Sequence, residues 1–168
     1  MQVANPEIVC GVTEAGLYLH VGGRATHRVC PTMDKLVLDY LAAQPERPVV
    51  ALDLEGCTWL DSTFSGWLIG LRKRLATKRA GRLLLSRCSP QCRRTLERIR
   101  LAELFEYADV TPPKDTQRLP CPGSDQPDRQ TIEYMLAAHE ALAATDAGNQ
   151  QTFGPVAEVL RRQLDQKP

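Results

Sequence analysis

Asp61, Ser62 and Thr63 stand together in 53-DLEGCTWLDSTFSGWLIGLRKRL-75, where an apolar run gives way to a helical pattern. A hydroxyl at a helix start meets unpaired backbone N–H groups and the positive end of the helix dipole, so a phosphate on Ser62 would be favoured there. The same residues also suit plain capping by Asp61 or Ser62, with Leu60 in a hydrophobic staple, and spacing alone favours the cap. A serine hydrolase is not indicated, because LDSTF is not the G-x-S-x-G of a nucleophile elbow. His20, His27 and His139 fall at a strand end, a turn and a helix face, and each reads as structural or solvated.

Other sets of reactive side chains are weaker. Cys88 and Cys92 straddle a helix start, where a thiolate is favoured, and Cys121, His20 or His27 could join them around zinc. Their spacing matches no common zinc pattern, so no metal site is expected. Cys10, Cys30 and Cys57 read as small core residues. Neither G-x-x-x-x-G-K-[ST] nor G-x-G-x-x-G occurs, so nucleotide binding by those loops is not expected, and no cofactor is indicated.

The elements that must position Ser62 follow from periodicity. EIVCGV (7–12) and LYLHVGG (17–23) read as strands, the second closing in a turn at Gly22-Gly23. A helix runs from Pro31 to about Ala43, with Met33, Leu36, Val37 and Tyr40 at helical spacing. PVVALDL (48–54) is a central strand, and Phe64, Trp67, Leu68, Leu71 and Leu75 mark a helix to about Arg79, ended by Gly81. Gly66-x-x-x-Gly70 suggests close packing of that helix on the sheet. RLLLS (82–86) is another central strand, Ser89-Pro90 caps a third helix, and 101–107 supplies a last turn and an edge strand. Residues 109–127 hold five prolines and form a linker or an ordered strap. Two amphipathic helices follow within 128–168: Ile132, Met135, Leu136, His139 and Leu142 line one, Gly148-Asn149 separates them, and Phe153, Val156, Leu160 and Leu164 line the other. Short helices of this kind need a surface to cover, and the uncovered side of the sheet is the expected acceptor.

The 168 residues carry 43% hydrophobic and 24% charged side chains, ordinary for a globular chain. The N-terminal MQVANPEIVC lacks the basic and apolar regions of a signal peptide, and no stretch is long enough to span a membrane, so a cytoplasmic protein is expected. The net charge of +1 hides a segregation: Arg72–Arg100 holds eleven Lys and Arg against Glu97 alone, a local +10 that leaves the rest at −9. Such a segment suits an acidic partner, or simply solvated helix faces. Aromatics for base stacking are absent from it, which argues against nucleic acid.

The order of elements, Asp53 ending the central strand, Trp59-Leu60, Asp61-Ser62-Thr63 at the helix start and the closing LAELF (101–105) together resemble the STAS family of bacterial anti-sigma-factor antagonists. The likeness covers about residues 7–108. It implies an α/β fold with a mixed sheet, helices on one face, and here an added C-terminal helical extension. The chain then divides into a STAS-like domain (1–108) and, outside the likeness, a Pro-rich linker or strap (109–127) and a C-terminal helical hairpin (128–168). It implies no enzymatic activity. Ser62 would be the phosphoacceptor of a partner serine kinase that is often also the anti-sigma factor, with Thr63 as a second hydroxyl and a phosphatase reversing the step. Asp61 would orient the hydroxyl or repel a wrong partner, and Asp61, Ser62, Thr63, Ser65 and Arg72 form the partner-facing set, Ser62 being solvent-accessible. One departure is Phe64, where many members carry a small residue. It favours the alternative of an assembly or scaffold component that is never phosphorylated, such as a lipid-trafficking partner. A homodimer through the C-terminal helices is a further expected arrangement.

Overall fold

The computed structural model describes residues 5–43, 45–121 and 126–166. The first four residues of the N-terminal stretch, positions 122–125 of the Pro-rich segment and the last two residues of the tail lie outside them.

Strands β1 (Glu7–Thr13), β2 (Gly16–Ala25), β3 (Val49–Asp53), β4 (Cys57–Leu60), β5 (Arg82–Ser86), β6 (Glu106–Tyr107) and β7 (Gln117–Leu119) form one mixed sheet. Its order is β6-β5-β3-β2-β1-β7. β2, β3, β5 and β6 are parallel, while β1 is antiparallel to β2 and to β7. Where β3 stops, β4 takes over as the partner of the last part of β2, with a register shift at Gly23/Arg24. Gly22 and Gly23 therefore lie inside β2 rather than in the turn expected of them; Gly23 has φ +72°, which glycine adopts without strain.

Helices α1 (Cys30–Ala42), α2 (Ser62–Ala76) and α3 (Pro90–Arg98) share one core with the sheet face that carries Leu19, Val21, Val50, Leu52 and Leu85. Helix α2 ends at Ala76, short of Arg79, and the turn closes through Ala80 at φ +52° before Gly81.

The Pro-rich segment covers the opposite face. After β6, the Val110 N–H donates to Ser86 Oγ at 2.9 Å, Pro113 and Asp115 come over Gly11, and β7 closes the edge against β1. That face is thus occupied by a strap and is not the acceptor for the C-terminal helices. Those helices, α4 (Arg129–Ala143) and α5 (Ala147–Gln166), pack on the outside of α2, α4 making the direct contact. The hairpin turns at Ala144–Asp146, where Asp146 Oδ1 accepts from the Asn149 N–H at 2.9 Å, so Gly148 and Asn149 belong to the first turn of α5 and do not separate the helices.

Two details explain this seat. Ile132, Ala138, His139, Leu142, Phe153, Ala157 and Leu160 are buried, whereas Val156 faces outward. Their apolar surface is therefore covered within one chain. Gly66 allows the close approach: a Cβ there would overlap the Ala138 carbonyl, whereas one on Gly70 would meet nothing within 4 Å. Gly66 thus serves helix-on-helix packing rather than contact with the sheet, and Gly70 serves neither.

Candidate functional site

Ser62 is the first residue of α2, and it is partly buried. Asp61 before it is the N-cap, extended at φ −87°, ψ 172°, with Oδ1 accepting from the Phe64 N–H at 2.7 Å. Asp61 Oδ2 accepts from the His27 N–H at 3.0 Å, and the Asp61 N–H donates to Ala25 O at 3.1 Å. One aspartate therefore fixes the helix start to the end of β2 and the turn that follows. Both carboxylate oxygens are engaged by backbone, so Asp61 does not orient the Ser62 hydroxyl.

His139 does that instead. From α4 it brings Nε2 to 2.9 Å of Ser62 Oγ, while its Nδ1 lies 2.7 Å from Met135 O. A carbonyl oxygen only accepts, so Nδ1 carries a proton, and in the neutral ring Nε2 then accepts from the serine hydroxyl. The ring is 4% exposed and meets Phe153 edge-on, with centroids 6.0 Å apart. Geometry of this kind lets a neutral imidazole receive the serine proton, and it also ties the hydroxyl to the hairpin.

The other expected residues are placed less favourably. Thr63 and Ser65 are buried; Ser65 Oγ donates to Asp61 O at 2.8 Å, and in this arrangement neither offers a partner any surface. Arg72 is exposed, but ten residues along the helix puts it about 15 Å from Ser62. Phe64 is fully buried, the first core anchor of α2, with its ring 5.5 Å from that of Trp67. Trp59 is 46% exposed, and the Arg24 guanidinium lies over its ring at 5.5 Å. This aromatic thus stands on the surface, three residues before Ser62.

A cavity of about 150 Å3 lies in the seam between α1, α2 and α4, with Cys30, Thr63, Gly70 and Tyr134 in its wall. Beside it the buried Asp34 is satisfied from two sides: Trp67 Nε1 and Arg74 donate to Oδ1 at 3.1 and 2.9 Å, and the Tyr134 hydroxyl is 3.5 Å from Oδ2.

Asp53, at the end of β3, belongs to a separate cluster under the strap. It is fully buried and accepts from the Tyr18 hydroxyl and from Arg87, with His20 Nδ1 at 3.5 Å. Burial works to raise its pKa, but these hydrogen bonds outweigh it and hold the carboxyl well below the usual range. Burial and the adjacent carboxylate push the Tyr18 phenol up to about 12. The cluster ties β2, β3 and β5 together and lies on the opposite face of the sheet from α2.

Among the described residues no three His, Cys, Asp or Glu side chains converge as a metal site, and the six cysteines are free thiols. The basic segment is partly neutralised: Arg74, Arg82, Arg87, Arg93 and Arg100 pair with Asp34, Glu106, Asp53, Glu97 and Asp146. Arg72, Lys73, Lys78, Arg79, Arg94 and Arg98 are exposed. No described helix is long and apolar enough to cross a membrane.

His139 is the site residue that sequence reasoning missed. Its signal was a lone polar side chain in the apolar stripe of α4, which on burial must find a partner; which partner was invisible at a separation of 77 residues.

A family model described as Mlab, STAS domain, matches residues 11–106, more than half of the chain. No curated protein matches. Among solved structures, that of the anti-sigma factor antagonist SpoIIAA in its unphosphorylated form is similar at 19% identity and a TM-score of 0.49, covering 62% of this chain and 89% of that one. With the family match spanning β2 to β5, α1 to α3 and the Asp61-Ser62 helix start, the chain belongs to the STAS domain family.

Proposed function

We propose that the chain is a regulatory binding module, an antagonist of an anti-sigma factor, whose docking is switched by phosphorylation of Ser62. The observation that carries this reading is Ser62 at the first position of α2, with Asp61 already capping the helix. The serine hydroxyl is thereby spared from capping. Phosphorylation would form a bond from Oγ to the γ-phosphorus of a nucleoside triphosphate as the bond to the diphosphate breaks, the hydroxyl proton passing to a base. A partner serine kinase supplies the active site, and a phosphatase reverses the step. Phosphate adds roughly −1.5 to −2 charge beside Asp61, so an acidic partner surface drawn to the basic helices would be repelled at close range. Asp61, Ser62 and Arg72 are the partner-facing residues, Thr63 is a second hydroxyl beneath them, and Ser65 shapes the cap. The module has no turnover of its own and acts in the cytoplasm.

Mass spectrometry of the protein from its native cells tests this reading, with phosphate on Ser62 as the expected result. Calorimetric titration of the isolated partner with Ser62→Ala and Ser62→Asp should show binding retained in the first and weakened at least tenfold in the second. Equal affinities would end the switch.

A second reading is an assembly component that keeps Ser62 unmodified, for instance a lipid-trafficking partner. The hydrogen bond of Ser62 to buried His139 favours it, because a hydroxyl so engaged has a structural use of its own. Absence of phosphate on Ser62 under every growth condition, with partner binding intact, would select it.

A further inference from the structure

We propose that the α4–α5 hairpin is an internal occupant of the Ser62 docking face, seated on α2 only while Ser62 carries a free hydroxyl, and that a partner must displace it. The proposal rests on the reading that Ser62 accepts a phosphate.

The contact at Ser62 fits a hydroxyl and excludes a phosphate. His139 Nε2 is an acceptor at 2.9 Å, in a ring that is almost wholly buried. A tetrahedral phosphoryl group has no room in that gap. Its oxygens would also meet a lone pair rather than a donor, next to the Asp61 carboxylate. An incompletely paired dianion in a seam lined by Ala138 and Phe153 is costly. Of the first-turn N–H groups of α2, that of Phe64 already serves the Asp61 side chain.

The hairpin also coheres as a unit, tied to the domain by Asn149 Nδ2 on Ile99 O at 2.8 Å and by Leu142 and Phe153 in the shared core. Its two helices hold each other through Arg161 on Glu140 at 2.6 Å and through Phe153 on His139. Its seam with the domain contains the cavity described above, so packing there is incomplete. The ladders of β2, β3 and β5 involve no hairpin residue. The face it covers carries the Gly66 notch, which takes a helix with a small residue there and an acceptor at the next position. Ala138 and His139 provide that pair here, and a partner helix of the same chemistry would compete for it.

Amide hydrogen exchange on the full chain tests this, in four forms: wild type, phosphoserine encoded at position 62 during translation, Gly66→Ala and Gly70→Ala. Alkylation of Cys30, which lies in the cavity wall beneath α4, gives a second readout with N-ethylmaleimide and peptide mapping. Phosphoserine and Gly66→Ala should raise exchange in α4 and labelling of Cys30 about tenfold or more, with β3 and β5 still protected. Gly70→Ala, whose Cβ enters open space, should match wild type. Wild-type protection of α4 in the phosphoserine form overturns the proposal. So does loss of β3 and β5 protection in step with α4, because the hairpin would then be part of the core. Release in Gly70→Ala also overturns it. The phosphate is encoded rather than enzymatic, so native Ser62 found unmodified would end the phosphorylation reading without changing this result.

Discussion

Arg87 leaves the end of β5 with a left-handed backbone, φ +45°, and turns back to pair with Asp53, the last residue of β3. A non-glycine residue in that conformation costs of order 1–3 kcal/mol, and the pairing of a fully buried carboxylate offsets it. Asp53→Ala leaves the Tyr18 hydroxyl without its acceptor and the Arg87 guanidinium with Glu55 as its remaining charge partner. A loss of about 3–5 kcal/mol is expected, read as a lower urea midpoint, and an unchanged midpoint would show that the cluster does not bind the strands together.

The same cluster sets a response to alkali. The folded-state pKa of Tyr18 is raised from its ordinary value of 10.0 to about 12. A group raised in this way stabilises the fold fully below its unfolded value and loses that contribution as pH climbs through the folded one. Stability should therefore fall between pH 10 and 12 by roughly 1–3 kcal/mol, and Tyr18→Phe should flatten that part of the curve. Equilibrium unfolding at fixed pH values measures both.

At the helix start, Ser62→Ala leaves His139 Nε2 buried without its donor, which costs about 1–3 kcal/mol. His139→Ala frees the hydroxyl to reach water and opens space next to Phe153. The two changes should be non-additive by about 0.5–3 kcal/mol in a double-mutant cycle followed by thermal unfolding; simple additivity would mean that the 2.9 Å contact carries no energy.

Ending the chain before Asp128 bares the apolar side of α2. Ile132, Leu142, Phe153 and Leu160 leave the buried surface, each worth about 1.5–3 kcal/mol on full burial. The shortened protein should melt lower and self-associate, as seen by scanning calorimetry and light scattering. An unchanged, monomeric product would show that α2 tolerates exposure.

On the far face, Gly11→Val drives a side chain into the strap: the Pro113 ring would be 2.6 Å and Asp115 O 2.9 Å from the new Cβ. Overpacking of about 1–3 kcal/mol and faster exchange in β7 are expected, with α4 unaffected.

The central strands, α1 to α3 and the caps at Asp61 and Ser89 were legible because each writes a local pattern: apolar runs at 48–54 and 82–86, a helical stripe from Phe64 to Leu75, and a side chain that accepts from an N–H three residues on. β4 and β7, of four and three residues, carry no hydrophobic period to read. The seat of the hairpin was misjudged for a definite reason. PVVALDL and RLLLS look apolar on both faces, yet one face ends in buried Asp53, held by Tyr18 and Arg87, and in buried Ser86, which accepts from the strap. In the site, Asp61 and Ser62 were visible as neighbours in sequence, whereas His139 reaches them only through the tertiary fold.

The strap does more than cover a sheet face. Because β7 is pinned to β1 and ends at Leu119, α4, which begins at Arg129, cannot diffuse away when it lifts from α2. A covalently held competitor of this kind acts at millimolar effective concentration. A micromolar partner thus starts at a disadvantage of about a thousandfold, or roughly 4 kcal/mol, before any contact is counted. If a partner displaces the hairpin as proposed, the connection between β7 and α4 would set a dose threshold that a tighter partner meets at lower concentration, and lengthening that connection would lower it.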